Sequence, residues 1–147
     1  MALLRAVLDA AAGGSLDRPL ACLEQAVTEK RLAWLRAHAG ELPRTGDPVQ
    51  DGFRAFYEGY LGLAVPGDGE IIGRSPQRLV SRWWNPCPTL EACLRLGLDT
   101  REVCGKAYER PVEAFLRGVD ARLRFTRNYE ALRPLAPYCE EIIRLEG

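Results

Sequence analysis

The groups in this sequence best equipped for chemistry are thiols and guanidinium groups. Five cysteines, Cys22, Cys87, Cys93, Cys104 and Cys139, are spread along the chain, and of its 20 basic residues only Lys30 and Lys106 are lysine. A thiol acts as nucleophile or metal ligand when it is held as thiolate. Cys87 has a sequence setting for that. It follows Trp83-Trp84-Asn85-Pro86 and precedes Pro88, which suits the first turn of a helix, where unpaired amides and the positive dipole end favour an anionic sulfur. Cys104 is the second candidate for catalysis. Cys87, Cys93, Cys104 and Cys139 together are a candidate metal set, with zinc as the metal, although no close CxxC pair of a zinc ribbon is present. The null for each is a small buried thiol, since free cysteine is among the most buried residue types.

The remaining chemistry is thin. His38 is the one histidine, so two-histidine metal motifs are excluded and a Ser-His-Asp arrangement would need His38 itself as base. Gly105-Lys106 lacks the upstream glycine of a phosphate-binding loop, and no dinucleotide fingerprint occurs. A formal net charge of zero, with 20 basic and 20 acidic residues, argues against a nucleic-acid surface. The balance is uneven: residues 1–73 are acidic on balance and residues 74–147 basic.

Elements that would position these groups follow from period and punctuation. Leu3, Leu4, Val7 and Leu8 mark a short helix over 3–12 that ends at Gly13-Gly14. It carries Arg5 and Asp9 and reads as amphipathic, not as a signal peptide; this predicts a cytoplasmic protein with reduced thiols. Asp17-Arg18-Pro19 opens a second helix with Leu20, Leu23, Val27 and Trp34 on its stripe and Gly40 as its stop. Asp47-Pro48 opens a third, bearing Phe53, Phe56, Tyr57 and Tyr60. Two strands, Glu70–Arg74 and Gln77–Trp84, meet at a tight turn over Gly73–Pro76. Helices follow at Thr89–Leu96 and Asp99–Gly118, with Asp99 and Glu102 spaced as a capping box and Pro111 splitting or restarting the second. Arg122–Asn128 and Cys139–Leu145 read as further strands.

The result is a single α+β domain over 1–147. A three-helix region, 1–65, precedes an α+β core, 66–147, whose antiparallel sheet of about four strands packs with helices and carries the cysteine set. At 147 residues the chain is long enough to bury a real core. No apolar run approaches the roughly 20 residues that span a bilayer, so no membrane partner is expected. On the strands, Arg78, Arg82, Arg122, Arg124 and Arg144 share even parity, a face able to hold a carboxylate or phosphate ligand or, as the plainer alternative, a solvated face with Glu140 and other acids paired across it. Trp83 and Trp84 point to opposite faces, so one is buried and one can floor a pocket. Trp83, Arg82, Arg124, Asn128 and Tyr129 are the candidate substrate-binding residues.

From Arg82 to Leu145 the order runs strand, Cys87-Pro88, a helix ending at Leu96-Gly97-Leu98, Cys104, Phe115, an alternating Leu123–Phe125 strand, and Cys139 in a closing strand. This order resembles the L-2-amino-thiazoline-4-carboxylic acid hydrolase-like family of small bacterial and archaeal α+β proteins. It is more distantly similar to vinyl-reductase-type small-molecule-binding domains. The resemblance implies hydrolytic ring opening of a cyclic amidine-like substrate that bears a carboxylate, with Cys87, Cys104 and Cys139 as the carried-over positions. The chain departs from that pattern at Tyr108 and at Ala136-Pro137-Tyr138.

Three readings stand at this point. The first is a hydrolase that uses a cysteine or a cysteine-bound metal. The second is a non-catalytic sensor or binding module for a small molecule. The third is a structural metal site. A homodimer is also expected, because three leading helices offer more apolar stripe than one small sheet covers.

Overall fold

The computed structural model describes residues 15–147, so the helix expected over 3–12 lies outside the described residues. The first helix, α1 (Asp17–Ala37), is capped at Leu16 without a side-chain bond. Asp17, expected as the cap, is instead its first helical residue, where a carboxylate complements the dipole and pairs with Lys106. Asp47 does cap α2 (Pro48–Phe53), accepting from the Gln50 amide at 3.2 Å. That helix does not stop at Phe53: it widens into a π-helical stretch over Arg54–Tyr60.

The hairpin β1 (Gly69–Ser75) and β2 (Arg78–Trp83) turns at Pro76-Gln77. Helix α3 (Pro88–Leu96) ends at Gly97, whose φ of 67° needs glycine. Asp99 then caps the short α4 (Thr100–Val103). A second π-helical turn, Cys104–Tyr108, leads into α5 (Glu109–Val119). The expected break at Pro111 takes this form. Proline lacks an N–H and its ring crowds the carbonyl four residues back, and the widened turn ends just ahead of it. The strands β3 (Leu123–Asn128) and β4 (Cys139–Leu145) complete an α+β fold.

The sheet order is β1-β2-β4-β3, antiparallel throughout. Its register sorts the residues by parity. Leu79, Ile143 and Phe125 form one row on the inner face, Ser81, Glu141 and Arg127 the next, and Trp83 opposite Cys139 a third. Helices α2 and α5 pack on this face and α1 packs on α5, so the helical first half covers the sheet of the second. The buried residues form two clusters. The larger joins Phe53, Phe56, Tyr57, Trp83 and Phe115 to the sheet; the smaller holds Leu20, Leu23, Ala92, Cys93, Val103 and Ala107. Leu20, Leu23 and Leu35 of α1 are thereby covered within the chain. Among the described residues no helix is long and apolar enough to cross a membrane.

Candidate functional site

A cavity of about 330 Å³ opens beside the larger cluster, with Phe56, Tyr57, Trp83 and Val112 on its wall. Its position follows from the inner face of the sheet. Moving along the strands, aliphatic rows give way to the polar row of Ser81, Glu141 and Arg127 and then to Trp83 and Cys139, and the last two rows reach the cavity wall. Both π-helical stretches border it, the first through Phe56 and Tyr57 and the second through Cys104 and Tyr108. Such widened turns recur at functional sites because they re-aim side chains that a regular helix would stack.

The polar wall is mostly satisfied internally. Tyr57 Oη donates to Glu141 Oε1 at 2.7 Å, and Arg127 Nε donates to Glu141 Oε2 at 2.9 Å. Burial, and then the neighbouring Glu141 charge, push Tyr57 well above the usual phenol range. Burial works against the charge on Arg127, but the Glu141 carboxylate offsets it and raises the group above its ordinary value. Arg127 and Glu141 form a buried salt bridge, Nε to Oε2 at 2.9 Å.

Arg31 is different. It is only 8% exposed, borders the cavity, and its Nε and Nη1 have no hydrogen-bond partner. Its guanidinium carbon lies 5.1 Å from the Phe56 ring centroid and 5.7 Å from that of Tyr60. Desolvated contacts of this kind are worth about 2 kcal/mol each, against a desolvation cost of several kcal/mol for the buried charge. Burial pulls the group below the usual arginine range. Arg133 also borders the cavity, with Nη1 on the Asn85 carbonyl at 2.7 Å and Nε on Cys139 Sγ at 3.2 Å. Among the described residues neither Arg31 nor Arg133 pairs with a carboxylate. Three guanidinium groups thus face one carboxylate around the cavity.

Of the residues expected from sequence, Cys87, Cys104, Cys139 and Trp83 converge on this wall. Cys87 is the cap of α3, its sulfur accepting from the Leu90 amide at 3.5 Å. Burial pushes the Cys104 thiol up to about 12, so at neutral pH it is a protonated wall atom. Cys93 does not join them. It is fully buried in the smaller cluster, and burial pushes its thiol up to about 11. The four-cysteine metal set is therefore not formed, and among the described residues no three histidine, cysteine or acidic side chains are grouped to hold a metal. The donor set also fits zinc poorly, since Arg133 already occupies the Cys139 sulfur.

Arg82, Arg124 and Asn128 do not line the cavity. They stand on the even-numbered face, away from the cavity, where Arg82 and Asn128 both bind Glu140 at 3.0 Å and Arg124 pairs with Glu146 at 3.1 Å. Tyr129 donates to Glu109 at 3.0 Å and does not border the cavity. His38 stacks on Trp34, centroids 4.0 Å apart, in a separate groove. Arg31, Arg127, Arg133 and Glu141 were missed. The signal for Arg31 was its place on the α1 stripe, four residues after Val27 and four before Leu35. The signal for Arg127 and Glu141 was odd parity shared with Leu123, Phe125 and Ile143. Scans of the chain against protein-family models, curated proteins and solved structures find no match.

Proposed function

We propose that this protein binds a small organic carboxylate, apolar in body, within the cavity beside its larger cluster. The observation that carries the reading is Arg31, a buried guanidinium on the cavity wall with two unpartnered nitrogens. A buried charge without a carboxylate partner is among the costliest arrangements in a fold, and the negative charge of a ligand carboxylate in the cavity would offset it. The aromatic wall of Phe56, Tyr57, Trp83 and Tyr108 suits a flat or apolar body.

Hydrolysis, the activity implied by the family resemblance, is the secondary reading, with Cys87 as its nucleophile. Three thiols on one wall favour it. Against it, among the described residues no free proton acceptor borders the cavity: Glu141 is held by Arg127 and Tyr57, and His38 lies in another groove.

Thermal unfolding with a panel of small aromatic and aliphatic carboxylates, each beside its uncharged amide, tests the binding reading. At about 100-fold excess over Kd a binder raises Tm by roughly 5–10 °C, and the matched amides leave it unchanged. Arg31→Met abolishes the response and is itself neutral or stabilising by about 1–4 kcal/mol, because it removes the unpaired charge. Equal shifts from carboxylates and amides, or a variant that still responds, would overturn the assignment.

A further inference from the structure

We propose that Cys139 is the reactive thiol of this chain and that it captures small carboxylates carrying an electrophilic carbon; this rests on the anion-binding reading of the cavity. The choice among the five cysteines is geometric. Cys22 is exposed and outside the cavity, and Cys93 is sealed in the smaller cluster. Cys104 is as exposed as Cys87 and Cys139 and borders the cavity, but among the described residues no donor reaches its sulfur, and burial pushes the thiol up. Cys87 and Cys139 are both half-buried on the wall. They differ in what touches the sulfur. Cys87 accepts from a neutral backbone amide at 3.5 Å. Cys139 accepts from a guanidinium at 3.2 Å, and a positively charged donor stabilises developing negative charge on sulfur more strongly.

The second observation is what makes this a site. Arg31, buried and unpartnered, borders the same cavity as Cys139. A carboxylate drawn in by Arg31 and Arg133 is thereby concentrated beside the Cys139 sulfur. Reaction requires no further base: the thiol proton leaves to solvent through the cavity mouth, and Arg133 keeps its charge throughout.

Two small alkylating agents that differ only in charge, iodoacetate and iodoacetamide, test the proposal on the intact protein. In either case the Sγ–C bond forms, the C–I bond breaks with its electron pair, and iodide leaves. Rates are read at each cysteine by peptide mass mapping, with Cys22 as the internal reference. Cys139 is expected to react at least about tenfold faster than Cys22 with iodoacetate, the usual gain from a cleft of one charge sign. Iodoacetamide should give a much smaller ratio. Arg133→Gln should bring Cys139 down to the rate of Cys22, and a retained cooperative unfolding transition shows that the fold survives loss of the Asn85 contact. If Cys139 leads with both reagents equally, the nucleophile stands and the anion reading fails. If Cys139 trails Cys22 with both, or if Cys87 leads instead, the proposal is overturned, while the thermal-shift panel still decides the binding reading.

Discussion

A carboxylate inside a protein is kept ionised by what touches its two oxygens, and Glu141 has one strong donor on each. Tyr57 holds Oε1 and Arg127 holds Oε2. The arrangement matters to the cavity because it cancels one of three positive charges and leaves Arg31 and Arg133 to act on a ligand. Tyr57→Phe removes the Oε1 donor from a carboxylate that is mostly buried. An acceptor stranded in this way costs about 1–3 kcal/mol. Chemical denaturation of Tyr57→Phe should show that loss with an unchanged m value, and an unaltered midpoint would mean that Glu141 does not depend on Tyr57. The same residue-by-residue logic explains why parity was the readable signal and function the unreadable one. Alternation put Leu123 and Phe125 inside, but it cannot reveal that Arg127, two residues further on the same face, has a carboxylate waiting across the strand.

At the scale of elements, the hairpin sets the position of Trp83, which forms part of the cavity wall. Gly69 pairs with Trp83 in the β1–β2 register. A Cβ there would lie 2.4 Å from the Arg82 carbonyl oxygen and 2.5 Å from the Trp83 indole. The first of these is backbone and cannot yield without moving the strand. Gly73, after the bulge in the same strand, has its nearest atoms at 4.0 Å. Gly69→Ala should therefore destabilise by about 1–3 kcal/mol and shift the tryptophan fluorescence, while Gly73→Ala should change stability by only a few tenths. Similar losses from both would show that the hairpin adjusts freely and does not fix Trp83. The strands, the hairpin and the Asp47 and Asp99 caps were legible because they depend on alternation and punctuation over a few residues. The two π-helical stretches were not. A helix widened at Arg54–Tyr60 or Cys104–Tyr108 keeps a helical composition, and only packing against the sheet reveals the extra residue per turn. Since both stretches border the cavity, the site was hidden for the same reason they were.

For the whole molecule, the acidic first half and basic second half meet each other: Asp17 pairs with Lys106, Glu24 with Arg110 and Asp47 with Arg74. These pairs are largely exposed and contribute little, so the charge asymmetry seen in the sequence describes how the halves face one another more than any outside partner. Acid sensitivity should instead centre on the even-numbered sheet face. There Glu140 receives the Asn128 amide and the Arg82 guanidinium, tying β3, β4 and β2 together. The Asn128 hydrogen bond, with Arg82 adding to it, holds the Glu140 carboxyl below the ordinary glutamate range. A carboxylate lowered in the folded state contributes stability that is complete above its unfolded value. That contribution is lost as pH falls through the folded value. For Glu140 the window lies below about pH 4, and the contribution is on the order of 1 kcal/mol, since Arg82 is partly solvated. Glu140→Gln should accordingly be less stable than the parent by that amount at pH 7, with the two curves converging near pH 2. Stability measured against pH for both proteins checks this, and a constant gap down to pH 2 would show that Glu140 acts by packing and not through its charge.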